Sequence, residues 1–191
     1  LDEPGFGKWN GPLTADWGTG ALWHHTVAPS GASYTATAPP EKFVAMTRPT
    51  DADADALSHV YQASWKGASF NWVGADVGYI VRVTPKAFKA PALPEFDRVT
   101  AAELVALLDS PSHRTRLEAQ RALLRREMNA ETKGQLLALA GDKARRIESR
   151  VAAVFALTQR AFGGNVDAAL AGLATDAALQ PYVVRALADG G

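Results

Sequence analysis

Along the first half of the chain, short β-rich runs alternate with turn residues. Leu13 to Trp17, Ala21 to Val27, Val60 to Trp65 and Tyr79 to Thr84 are each followed or separated by Gly, Pro or Asp. This punctuation predicts antiparallel strands joined by tight turns. After a Pro-containing segment, 84–94, the spacing changes to a helical period. Ile147, Val151, Val154 and Phe155 form one apolar stripe, and Val166, Ala169, Leu170 and Leu173 form the next. Thr100 and Glu103 have the spacing of a capping box. Ser110 followed by Pro111 predicts a second helix running from Pro111 to about Glu127. Gly163, Gly164 and Asn165 have the character of cap signals between the two striped helices.

Both halves contain self-similar segments. Leu13 to Gly18 with Ala21 to Val27 aligns with Val60 to Gly67 with Tyr79 to Thr84, so that Trp17 and Trp65 correspond across 48 residues. That spacing suits one four-stranded propeller blade, with Met46 to Asp55 supplying a further strand. Arg116 to Leu123 aligns with Arg150 to Leu157 at a period of 34 residues, and Tyr182 to Leu187 is a partial third copy. Helix pairs of that period predict a HEAT-like stack. The expected architecture is therefore β followed by α: one to two blades of an antiparallel β-propeller over 1–90, a linker over 91–99, and a HEAT-like helical solenoid over 100–191. One or two blades cannot close a ring, so earlier blades are expected upstream, and a partner helix is expected after Gly191.

Composition narrows the chemistry. The 191 residues are 47% hydrophobic, enough to build a core, and carry 20 basic and 20 acidic side chains. A zero formal charge argues against a protein built to grip nucleic acid. Residues 1–97 hold 7 basic and 10 acidic groups, whereas 98–191 hold 13 and 10, and the change of sign marks a boundary. No cysteine is present, which removes disulfides, thiolate metal sites, a cysteine nucleophile and covalent haem attachment from this chain. No apolar run approaches the ~18 residues of a membrane helix.

Taken together, the run from Arg48 to Asp55, then Val60 to Gly67, Val77 to Pro85, and Ser110 to Arg126 resembles the propeller-to-HEAT junction of planctomycete-type putative membrane-bound dehydrogenases. The propeller of that family is similar to those of quinoprotein sugar and sorbosone dehydrogenases. The resemblance implies an exported, periplasmic parent that oxidises a sugar or alcohol with pyrroloquinoline quinone and calcium, with haem c in another domain. It places no cofactor in this segment and transfers no catalytic residue to it. This chain would then be structural or docking, with the parent's other blades and repeats as its partners. The alternative is a non-catalytic module that binds a protein or a polysaccharide.

Individual residues offer a few candidates. The insertion 68–78 puts Asn71, Trp72 and Asp76 on a long loop, where they would contact a ligand or another domain; the reading favoured over that has Phe70 and Trp72 covering the end of the sheet. Asp51, Asp53 and Asp55 have the alternation of a calcium loop, but Ala56 and Gln62 stand where its glycine and bidentate glutamate belong. That excludes an EF-hand and leaves a looser calcium site or a solvated turn. Arg114, Arg121 and Arg125 head a basic cluster whose interleaved Glu118 and Glu127 favour junction packing or salt bridges to the acidic half over phosphate binding. His24 and His25, adjacent on a strand, point to opposite faces and cannot readily share a metal ion. Either one with Asp16 would make an acid–base pair; the competing reading has Asp16 bonding its own turn.

Overall fold

The computed structural model describes residues 1–30, 33–67, 74–159 and 166–189. Two compact units divide the chain, Leu1–Ala92 and Leu93–Gly191.

The first unit opens with a 3-10 helix, Pro4–Trp9, and continues through eight strands. These are β1 (Leu13–Asp16), β2 (Ala21–His24), β3 (Val27–Ser30), β4 (Ser33–Ala36), β5 (Glu41–Ala45), β6 (Pro49–Ala54), β7 (Val60–Trp65) and β8 (Gly78–Val83). Pairing is antiparallel throughout, in three sheets ordered β1-β2-β5, β3-β4 and β6-β7-β8. In the first sheet Leu22 and His24 are buried, and Trp9 of the 3-10 helix packs on the His24 and Phe43 rings at 5.5 and 5.4 Å. Lys8 reaches Glu41 at 3.0 Å from the same helix. One face of this sheet is thus covered by the N-terminal segment. In the third sheet the alternation places Val60, Gln62 and Ser64 inside, and the Ser64 hydroxyl donates to the Thr47 carbonyl.

This arrangement overturns the expected propeller. A blade is one four-stranded sheet, whereas the described strands form sheets of three, two and three. The alignment of Trp17 with Trp65 matches two hairpins that occupy different places in their sheets. In the first copy the second strand, β2, is central; in the second copy the first strand, β7, is central. The likeness is that of one hairpin to another, and it does not repeat a sheet. Strands β3 and β4, which a blade would absorb, pair with each other instead.

The second unit holds α1 (Ala101–Leu107), α2 (His113–Leu124), α3 (Ala130–Gly141), α4 (Ile147–Thr158), α5 (Val166–Leu173) and α6 (Gln180–Asp189). The capping box is complete: the Thr100 hydroxyl accepts from the Glu103 amide, and the Glu103 carboxylate accepts from the Thr100 amide at 2.7 Å. Helix α2 begins two residues later than the Ser110–Pro111 signal implies. Ser112 is its N-cap, accepting from the Thr115 amide at 3.1 Å, while the Ser110 carbonyl takes the Arg116 guanidinium at 2.8 Å. Asn129 caps α3 in the same way through the Thr132 amide. Gly163, Gly164 and Asn165 lie outside the described residues.

Nor do the helices form the expected HEAT-like solenoid. In such a stack each pair buries its face against its neighbours alone. Here Leu104, Leu108, Leu123, Leu136, Leu157, Leu170, Leu179 and Val183 belong to one core, and α4 packs against α2, α3, α5 and α6. The 34-residue similarity has a local cause. Arg116 and Arg150 are both buried, and each donates to a carbonyl near the end of the preceding helix, Ser110 and Ala140 respectively. Such carbonyls lack intrahelical donors, so two helices share one solution to one problem. The partial third copy begins beyond that position and has no counterpart of the buried arginine; its Arg185 aligns with Arg121, is exposed, and reaches Asp189 at 3.4 Å on its own helix.

Candidate functional site

With the N-terminal segment on one face of the β1-β2-β5 sheet, the opposite face carries Thr14 and Asp16 of β1 and Trp23 of β2. The register pairs Thr14 with Trp23, and Trp23 in turn with Lys42 of β5. Alternation along β2 sends Leu22 and His24 inward, so Trp23 and its cross-strand partners turn out. Thr14, Asp16 and Trp23, together with Ala15, Trp17, Gly18, His25 and Pro40, line a shallow groove of about 590 Å³, with Lys42 over the Trp23 ring at its side.

The groove's polar groups are held in place by short hydrogen bonds. Asp16 accepts from the Gly18 and Thr19 amides at 2.9 and 3.0 Å and from the Thr19 hydroxyl, closing the β1–β2 turn. Thr19 provides the strongest of these bonds, and together they hold the Asp16 carboxyl below its ordinary value. The Thr19 hydroxyl also receives the Trp23 indole N–H at 3.3 Å, so the turn fixes the ring. The His25 Nε2 and Thr14 hydroxyl are 2.8 Å apart. Arg48 stacks on Trp17, its guanidinium carbon 4.1 Å from the ring centroid and its Nη1 donating to the Trp17 carbonyl at 3.1 Å. It does so from a left-handed backbone, φ 50°, which a non-glycine residue adopts only when its surroundings enforce it. The Lys42 ammonium lies 5.3 Å from the Trp23 ring centroid. What the arrangement offers chemically is two indole rings, hydroxyl and imidazole groups, and cations beside both rings. Those features suit binding, and Asp16 is engaged by its turn rather than by either histidine.

The residues singled out from sequence lie elsewhere. Asn71 and Trp72 fall outside the described residues, and Asp76 is exposed with φ 61°. Asp51 and Asp53 are exposed on β6, each accepting from the amide of the next residue at 2.8 Å. Asp55 turns away into the β6–β7 loop. Burial pushes its carboxyl up, but bonds from the His59 amide and ring, the Tyr61 hydroxyl and the Leu57 amide outweigh that and leave it below its usual value. The three carboxylates therefore do not converge, and no group of three metal-ligating side chains occurs among the described residues.

Nor do the arginines form one patch. Arg121 pairs with Glu118 at 2.7 Å and Arg125 with Asp97 at 3.4 Å, both within the helical unit, while Arg114 is half-buried. Arg126 donates to the Phe96 and Val99 carbonyls. Two depressions on the helical unit, of about 320 and 390 Å³, have their cations matched locally: Arg145 by Asp109 and Asp142, and Arg185 by Asp189. No helix among the described residues is long and apolar enough to cross a membrane.

Sequence reasoning missed Trp17, Trp23, Thr14 and Pro40 as site residues, along with Lys42 and Arg48 beside the rings, because strand pairing and the stacking on Trp17 bring them together. The legible signal was the alternation Ala21-Leu22-Trp23-His24, which puts a large ring on the face opposite two buried side chains. No family model, curated protein or solved structure matches the chain.

Proposed function

We propose that the chain is a non-catalytic binding module whose β unit holds a polysaccharide along the outer face of its first sheet. The observation that carries this reading is the groove in which Trp17 and Trp23 stand beside Thr14, Asp16 and His25. Sugars offer apolar C–H faces that stack on indole rings and hydroxyls that bond side chains such as these. A shallow, open groove admits a long chain passing through it. The expectation of a quinone-dependent dehydrogenase drew on propeller blades, and nothing in the described residues favours it over binding. An exported location belongs to the same proposal, since polysaccharides are met outside the cell.

Affinity electrophoresis of the whole chain through gels containing neutral or acidic polysaccharides tests the reading, with indole fluorescence as a second readout. Retardation by at least one polysaccharide is expected. Trp23→Ala should weaken it about tenfold, the equivalent of ~1.4 kcal/mol from one stacked ring. Unretarded migration with every polysaccharide would remove the proposal.

A further inference from the structure

The outer face of the first sheet contains more than rings. Lys42 and Trp23 are register partners on neighbouring strands, and the Lys42 ammonium lies over the Trp23 ring, 5.3 Å from its centroid. Lys42 is exposed and makes no ion pair among the described residues, while the nearby Glu41 points to the other face, where Lys8 takes it. Arg48 adds a second cation at Trp17 and is likewise without an ion pair among the described residues. The carboxylate in the groove, Asp16, has its oxygens engaged by the Gly18 and Thr19 amides and the Thr19 hydroxyl. A cation beside an aromatic ring matches a ligand that presents a carboxylate beside an apolar face.

We infer that the saccharide taken by this groove is anionic, a polyuronate, with Trp23 against the sugar face and Lys42 on the carboxylate. The inference rests on the polysaccharide reading above and adds the charge of the ligand. Uronate residues carry one carboxylate each, at a distance from the ring face that a flexible lysine stem can span. Single-stranded nucleic acid also combines stacking faces with negative charge. Its dense phosphates call for a basic surface, however, and residues 1–92 carry 7 basic against 8 acidic side chains. One exposed ammonium at a ring fits the sparser charge of a uronate chain.

Polygalacturonate and its methyl ester share one backbone and differ in charge, so titrating the whole chain with each isolates the inference. Binding to the acid form is expected to be about tenfold tighter at low salt, and the advantage should shrink as salt screens the exposed lysine. Lys42→Met keeps the apolar stem and should erase the advantage; Lys42→Arg should restore it. Equal binding of the two forms, or an advantage that survives Lys42→Met, would overturn the inference and leave the polysaccharide reading standing. Binding to neither form nor to any neutral polysaccharide would end both. Tighter binding to an oligothymidylate than to polygalacturonate would overturn the inference in favour of nucleic acid.

Discussion

Gly5 occupies a point where no side chain fits. A Cβ there would lie 2.6 Å from both Phe88 Cδ1 and Ser58 Cβ and 2.7 Å from Ser58 Oγ. The same approach lets the Gly5 amide donate to the Ser58 hydroxyl at 2.9 Å, tying the N-terminal 3-10 helix to the β6–β7 loop across 53 residues. Ser58 is itself fully buried and held at φ 63°, so it has little freedom to retreat. Gly5→Ala should therefore destabilise the protein by about 1–3 kcal/mol, the usual range for forcing extra atoms into a packed site. Urea unfolding followed by tryptophan fluorescence reads this directly, and an unchanged midpoint would show that the loop yields. Arg48 is a second residue held in an unusual backbone, and there the constraint serves the groove by keeping a guanidinium on Trp17.

Among the elements, α1 depends most on its cap. It has 7 residues, too few to be helical alone, yet Leu104 and Val105 from it enter the core, with Leu108 at its end. Thr100→Ala removes the hydroxyl that accepts from the Glu103 amide and should cost about 1 kcal/mol in chemical denaturation; Thr100→Ser should cost far less. Loss of stability with serine equal to that with alanine would mean that the methyl group, and not the cap, matters. This cap was legible because it is local chemistry spaced three residues apart. So were the hairpins β1–β2 and β7–β8, where turn residues separate β-rich runs. Ser110-Pro111 misplaced the start of α2 because a second serine, Ser112, stood within reach and its side chain was the one buried. Helix α3 went unnamed although Asn129 caps it, since its stripe is diluted by Thr132, Lys133 and Gly134. Sheet order was not legible at all. Which strand of a hairpin becomes central depends on pairing with β5 or β6, far along the chain, and a spacing of 48 residues is silent on that. The groove shared this blindness, for Lys42 reaches Trp23 only through the β2–β5 ladder.

Across the whole molecule, stability is distributed unevenly, and each unit has its own firm and soft parts. Central strands β2 and β7 have neighbours on both edges, and α4 contributes Ala153, Val154, Ala156 and Leu157 to the helical core. The β3–β4 ribbon has two strands, is exposed along all of β4, and pairs with no other sheet among the described residues. Isolated two-stranded ribbons are marginal in water. Amide hydrogen exchange should therefore proceed faster in Val27–Ser30 and Ser33–Ala36 than in β2, β7 and α4; uniform protection would contradict this picture. The ribbon hangs between His25 and Pro40, both of which line the groove. Any ligand that holds those two residues favours the closed ribbon, and by thermodynamic reciprocity a closed ribbon favours the ligand. Two marginal strands thereby become a dial on affinity: sequence changes that stiffen or loosen Val27–Ser30 and Ser33–Ala36 would tune binding without touching a single group that meets the ligand.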